Sequence, residues 1–212
     1  MTVPRTRRGR DSKARIVAAA AGLMYEQGVT ATSVEDVLRQ SGAGKSQFYH
    51  YFSSREELIA EVLRHQLAVV LQEQKRFRLD TWDGMGEWFE AMVLAQQTRR
   101  RFLGCPLGSL AGEVLQQGDL LRETAADAFA CWQQALVEGL VALQAAGLLR
   151  EDVDLREVAE STIATLQGGY LLSSATQEIA PLRRATHAAL RLLQSYAPPV
   201  SKAQQGALPA GE

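Results

Sequence analysis

Cysteine, histidine, aromatic residues and long apolar runs are all scarce in this chain, and each scarcity closes off a class of function. The two cysteines, Cys105 and Cys131, form neither a CxxC pair nor a Cys/His constellation, which argues against a disulfide framework and against a zinc site. The three histidines, His50, His65 and His187, are scattered without a carboxylate partner or a second ligand at helical spacing. No glycine-rich phosphate loop is present either, so the sequence offers no catalytic residues, no metal site and no cofactor motif. Apolar runs fall far short of the roughly 18 residues that a membrane-spanning helix needs. Period-two alternation long enough for a strand is missing as well. Aromatic residues are only 7% of the chain, yet Phe48, Tyr49, Tyr51 and Phe52 crowd around His50 in the stretch SGAGKSQFYHYFSSREEL, residues 41–58.

What remains is the balance of a globular protein: 212 residues, 46% apolar and 22% charged, enough for one domain or two with a sizeable core. The cytoplasm is its expected home. A basic segment (Arg5, Arg7, Arg8, Arg10) ahead of the apolar run Ile16 to Met24 imitates a secretory signal. Asp11, Lys13 and Arg15 interrupt the join, however, and Ile16, Ala20, Leu23 and Met24 recur at helical spacing, so the run reads as one face of a helix. The net charge of −1 conceals an asymmetry: residues 1–64 carry +3 and the rest −4, with six cations against one Asp in residues 1–15. A cationic arm on a neutral body suits a polyanion contacted at one end.

Punctuation along the chain is helical, so the expected architecture is all-α. A first helix runs from about Ser12 to Gln27 and stops at Gly28. Thr32 and Glu35 have capping-box spacing before a two-turn element that Gly42 ends. A third short helix covers AGKSQFYHYF, and Ser53/Glu56 or Ser54/Glu57 caps a fourth, long one. Two short helices joined by a Gly-rich turn outline a helix-turn-helix, whose second member enters the DNA major groove. On that member Phe48 and Phe52 share one side and Ser46 and His50 the other, with Gln47 and Tyr49 at the margins. The phenylalanines are thus anchors, and the polar set, with Lys45, is left to meet bases and phosphates.

The stretch KARIVAAAAGLMYEQGVTATSVEDVLRQSGAGKSQFYHYFSSREELI resembles the N-terminal DNA-binding domain of the TetR family of transcriptional regulators. The likeness rests on Tyr25 before Gly28, Thr30 and Thr32, Gly42, Lys45, the Phe48 to Phe52 block and Arg55-Glu56-Glu57-Leu58. It implies DNA contacts from Lys45, Ser46, Gln47, Tyr49, His50 and Tyr51, and a backbone grip by Arg55; Arg7 and Arg8 of the cationic arm and Thr32 are further candidate contacts. Where the family usually places Ser or Thr at the start of the recognition helix, this chain has Gly44, which leaves those N–H groups without a side-chain cap.

Residues 1–53 are therefore expected to form a cationic arm and DNA-binding domain, residues 54–198 a helical ligand-binding and dimerisation domain, and residues 199–212 a disordered tail. Further helices are expected over 54–78, 84–102, 106–117, 120–146, 155–176 and 181–196, with Pro106 and Pro181 at N1. Ser161, Thr165, Gly169 and Ser173 form a small-residue stripe, and Ala185, Ala189 and Leu192 an apolar face on the next helix. The resemblance implies that these two helices pair with their copies in a homodimer reading a palindromic operator in double-stranded DNA; packing of the stripe within one chain is the alternative. It also implies a pocket for a small apolar or aromatic effector, with Trp88, Phe89, Met92, Phe102, Phe129, Trp132 and Tyr170 as candidate lining.

Cys105 before Pro106 falls at an N-cap close to Arg99, Arg100 and Arg101, where a thiolate would be stabilised, whereas burial in apolar surroundings would leave it a small, inert core residue. The segment is similar to the Gly-Cys segment of TetR-like repressors that sense electrophiles and oxidants. The readings that follow are a repressor released by an effector, a thiol sensor using Cys105, or, in a different class, a helical interaction module or a thiol enzyme. Cys131, beside Trp132, is expected in the core.

Overall fold

The computed structural model describes residues 6–199. Apart from Pro199, the expected tail lies outside them. Among the described residues there are nine helices and no strand: α1 (Arg7–Gln27), α2 (Val34–Ser41), α3 (Lys45–Tyr51), α4 (Arg55–Gln74), α5 (Trp82–Gln97), α6 (Pro106–Val114), α7 (Asp119–Ala145), α8 (Leu155–Thr176) and α9 (Ala180–Ser195).

Local chemistry sets most of these boundaries. α1 begins a turn and a half earlier than the apolar pattern indicates, because the Thr6 hydroxyl caps it by accepting from Gly9 N at 3.1 Å. The capping box of α2 is one residue later than expected. Ser33 and Asp36 form it, and the Thr32 hydroxyl instead donates to the Gly28 carbonyl at 2.8 Å. Gly42 closes α2 in the left-handed conformation (φ 66°) that makes the tight turn into α3. Ser54 caps α4, accepting from Glu57 N at 3.2 Å. Thr81, whose hydroxyl accepts from Gly84 N, starts α5 two residues ahead of the expected Gly84. Pro106 is N1 of α6 as expected, whereas Pro181 follows Ala180 and is the second residue of α9.

The three N-terminal helices pack around Ile16, Ala20, Val37, Phe48 and Phe52, all fully buried. They rest on α4 through α1, where Lys13 Nζ meets Glu61 Oε2 at 2.6 Å. In the C-terminal part α7 is the central helix, burying Leu121, Trp132, Leu136, Leu140 and Leu143 against α4 and α8. α8 packs most extensively on α9. Among the described residues no helix is long and apolar enough to cross a membrane, and no group of three His, Cys, Asp or Glu is placed to hold a metal ion.

Candidate nucleic-acid interface and effector cavity

α3 is only seven residues long and is held by what it buries. Phe48 and Phe52 are fully buried, their rings 5.2 Å apart, while Tyr49 is 54% exposed and Lys45, Ser46 and His50 face outward. Gly44 supplies no side-chain cap, so the leading N–H groups of α3 point outward unsatisfied by the side chain before them. Gln47 is half-buried and donates from Nε2 to Ser12 Oγ at 2.6 Å, tying α3 to α1. Beside it runs a cleft lined by Arg7, Arg8, Asp11, Ser12, Arg15 and Gln47. The first turn of α1 holds no acidic residue, so the arginine charges add to the positive end of the helix dipole.

Several expectations change here. Arg7 and Arg8 stand in the first turn of α1 rather than on an arm ahead of it. Thr32 is buried, its hydroxyl spent on the loop between α1 and α2, and this removes it from any DNA-facing set. Tyr51 is also buried, its ring edge-on to Phe52 in the core. Arg55 turns inward, where its guanidinium donates to the carbonyls of Val29 and, at 3.2 Å, Thr32. It braces the loop that presents α2 and α3. The sequence reading missed Arg15 and Ser12, which share the face of α1 that borders Gln47.

A cavity of about 240 Å³ lies between α4, α5, α7 and α8. Of the candidate lining residues it holds Trp88, Met92, Cys105, Trp132 and Tyr170. Phe89, Phe102 and Phe129 do not reach it. Phe89 stacks behind Trp88 with ring centroids 4.9 Å apart, and Phe102 packs against Tyr170 at 6.3 Å. Phe129 lies beside Trp132 and faces a neighbouring hollow that shares Cys105 and Tyr170. The walls that periodicity did not reveal come from α4 (Val69, Val70, Phe77 just beyond its end) and from Gln96 and Arg99 at the end of α5. Trp132 Nε1 is already satisfied, donating to Gln74 Oε1 at 3.0 Å.

Cys105 is the N-cap of α6, but only 3% of it is exposed. Burial pushes its thiol up, outweighing the backbone N–H groups of Gly108 and Leu107 that act the other way. The arginine cluster does not offset this, and Arg99 instead lies over the Tyr25 ring, 4.9 Å from its centroid. Of the two readings of Cys105, the structure has the buried, protonated thiol and not the thiolate. Cys131 is corrected in the opposite sense: it is exposed, on the outer face of α7.

The small-residue stripe also has a different partner. Gly169 is buried, and a Cβ there would overlap the Ala185 methyl group and lie 3.2 Å from Leu182 Cα of the same chain. Ser173 Oγ accepts from Leu182 N at 2.9 Å, and Ala189 is buried on the same seam. Gly169, Ser173, Ala185 and Ala189 thus join α8 to α9 within one chain. Leu171 (70% exposed), Leu172 (58%), Gly168, Ala188 and Leu192 lie outside that seam. Ser161 and Thr165, half-buried, stand at its margin.

Residues 16–62 match the model of bacterial regulatory proteins of the tetR family, and residues 82–188 match the C-terminal domain of LmrA/YxaF-like transcriptional regulators. An uncharacterized HTH-type transcriptional regulator in the lacX 3′ region of Lactococcus lactis subsp. lactis is 29% identical over 178 residues, covering 80% of this chain and 87% of that one. The HTH-type transcriptional regulator LmrA of Bacillus subtilis is 26% identical over 176 residues, covering 81% and 91%. The crystal structure of regulatory protein TetR from Rhodobacter sphaeroides has the same fold, with a TM-score of 0.73 at 21% identity over 85% of this chain and 97% of that one. Regulators of this kind bind DNA operators and act as dimers. The chain belongs to the TetR family and is a DNA-binding transcriptional regulator.

Proposed function

We propose that the chain is a repressor that holds a palindromic operator as a homodimer and releases it when a small apolar or aromatic effector enters the cavity lined by Trp88, Met92, Trp132 and Tyr170. The observation that carries this reading is the division of labour on α3: two fully buried phenylalanines fix the helix, and Lys45, Ser46, Tyr49 and His50 are left on its outer face. Tyr49, His50 and Ser46 read base edges in the major groove, while Lys45 and the arginines Arg7, Arg8 and Arg15 neutralise phosphates on either side. Gln47 acts through Ser12 to set the angle of α3 on α1. Arg55 acts as a positioning residue for the loop before α2.

Two copies placed with their α3 helices about 34 Å apart would meet successive major grooves on one side of the duplex. The faces that join the copies are the outer sides of α8 and α9, around Leu171, Leu172 and Leu192. An effector that fits the cavity better in another spacing of the two α3 helices shifts the population away from the DNA-bound state. The site of action is the cytoplasm, where the DNA is.

Fluorescence anisotropy on DNA taken from upstream of the chain's own gene, against a scrambled duplex and at two salt concentrations, tests the reading. Tyr49→Ala should cost about tenfold or more in operator affinity and little on scrambled DNA, as removal of a base-reading side chain does. Replacing Arg7 and Arg8 together with Ala should weaken both duplexes alike and lower the salt slope by about 1 for each phosphate no longer neutralised. Equal affinity of the wild type for operator and scrambled DNA would refute the proposal.

A further inference from the structure

Glu113 is an acid where a helix does not favour one. It is the last residue but one of α6, close to the carbonyl end of the helix, where the dipole disfavours an anionic side chain. Its partner lies elsewhere in the chain: Glu113 Oε2 accepts from Val29 N, in the loop between α1 and α2, at 2.8 Å. Gly28 lets the carboxylate in. A Cβ at that position would stand 3.2 Å from Oε2, and φ of 92° is a conformation that suits glycine.

Val29 is held at its other end as well. Its carbonyl accepts from the Arg55 guanidinium of α4 and from Thr32 N at 3.2 Å, so one residue carries a carboxylate on its N–H and a guanidinium on its C=O. Hydrogen bonds to charged partners of this kind are roughly twice as strong as neutral ones. The Val29 side chain is fully buried. Because α4 and α6 pack on each other, Val29 is pinned at their junction. Shortly after it Ser33 caps α2, and Gly42 then turns the chain into α3. The pinned residue is thus the root of the helix-turn-helix.

Reading two half-sites at once demands more than a well-folded α3. The separation of two α3 helices in a dimer is only as well defined as the hold of each N-terminal unit on the rest of its own chain. Lys13 and Glu61 fasten α1 to α4 near the start of α1. One such point leaves a swivel. Val29 lies just past the other end of α1, about 20 Å away along the helix axis. There Glu113, with the Tyr25 hydroxyl on the Gly104 carbonyl at 2.7 Å, supplies the second fastening, and it comes from α6 rather than α4.

Resting on the reading of the chain as a homodimer on a palindromic operator, we propose that Glu113 is a positioning residue for operator recognition. Its hydrogen bond to Val29 N fixes the N-terminal unit against α6 and so sets the half-site spacing that the dimer accepts. Glu113 acts through Val29 and not through DNA. Without the bond each unit swivels more freely, which weakens binding at the proper spacing and makes a wrong spacing less costly.

Fluorescence anisotropy of the full chain tests this on three duplexes: the operator, the operator with one base pair inserted between its half-sites, and a scrambled sequence. The insertion parts the half-sites by about 3.4 Å and rotates one against the other by about 35°. Wild type should lose about tenfold or more on it. Glu113→Ala should bind the operator about fivefold more weakly and scrambled DNA as before, and should lose no more than about threefold on the insertion. Glu113→Gln, whose amide oxygen can still accept from Val29 N, should keep the wild-type spacing ratio within about twofold. Hydrogen exchange at the Val29 amide, read by NMR on the free protein, should quicken in Glu113→Ala and stay near wild type in Glu113→Gln. Wild type binding both spacings equally would remove the palindromic dimer, and the role of Glu113 with it. Wild type that discriminates, beside a Glu113→Ala that discriminates as strongly, overturns the role of Glu113 alone. So do equal losses by Glu113→Ala on all three duplexes, or a Glu113→Gln that behaves like Glu113→Ala.

Discussion

Replacing Gly169 with Ala pits two opposite effects of one methyl group. Within a helix Ala is favoured over Gly by about 1 kcal/mol. Here, though, the new Cβ would overlap the Ala185 methyl and press on the backbone of α9 at Leu182, 3.2 Å away. Overpacking of this kind costs about 1–3 kcal/mol, and the upper part of that range applies because backbone rather than a mobile side-chain end is in the way. α9 cannot simply step back: the Ser173 Oγ to Leu182 N hydrogen bond, 2.9 Å and buried, holds the seam. The net expectation is a loss of about 1–2 kcal/mol, or about 2–8 °C in melting temperature for a chain of this size. Gly22 in α1 is the control, since it is exposed and a Cβ there meets nothing within 4 Å. Gly22→Ala should raise stability by about 0.5–1 kcal/mol. Thermal unfolding followed by circular dichroism, with all proteins at one concentration because dimerisation couples to stability, measures both. Gly169→Ala melting at or above the wild type would refute the intrachain packing of α8 on α9, and a monomeric but equally stable variant would return Gly169 to the dimer interface.

Three further outcomes follow from particular residues. Leu172→Asp places a charge on an exposed apolar face of α8 and should yield a monomer in sedimentation velocity with helicity unchanged; a persisting dimer would refute the proposed face. Iodoacetamide should label exposed Cys131 and spare Cys105, whose thiol burial pushes up, and mass spectrometry finding Cys105 labelled first would overturn that order. For Glu61, burial acts to raise the carboxyl, but Lys13 and Arg64 outweigh it and hold it below the usual range. Its stabilising contribution is therefore complete above the ordinary carboxylate pKa and is lost as pH falls through the lower folded value. Glu61→Gln should accordingly flatten the acid limb of urea midpoints measured from neutral pH down to about pH 3, and an unchanged slope would refute the pairing with Lys13.

The all-α architecture and the helix-turn-helix were legible because turn residues and 3.6-residue periodicity agree over residues 12–62. Periodicity failed where it had no apolar partner to count, as in Arg7 to Asp11, which are helical by virtue of the Thr6 cap and their own propensity. Capping spacing fits both Thr32/Glu35 and Ser33/Asp36, and only the path of the loop, which brings Thr32 Oγ1 onto the Gly28 carbonyl, decides between them. A small-residue stripe says that something approaches closely without saying what, and Gly169 meets its own α9. Ring residues at helical spacing mark an inward face, but Trp88 and Phe89 share that burial and only Trp88 borders the cavity.

α1 runs from Arg7 to Gln27, a rod about 30 Å long at 1.5 Å per residue. Its first turn carries the arginines beside α3, and near its last turn Tyr25 sits at the Gly104 junction. Over such a length a tilt of about 5° displaces the far end by about 2.6 Å, more than enough to break a phosphate contact. Pivoted at the Gly104 junction, α1 would act as a long arm, and a small rotation there would be magnified at the end that carries Arg7 and Arg8. The same gearing constrains how the protein can change. A substitution that stiffens or bends α1 at its middle, around the exposed Gly22, would change that magnification without touching Tyr25, Arg7 or Arg8.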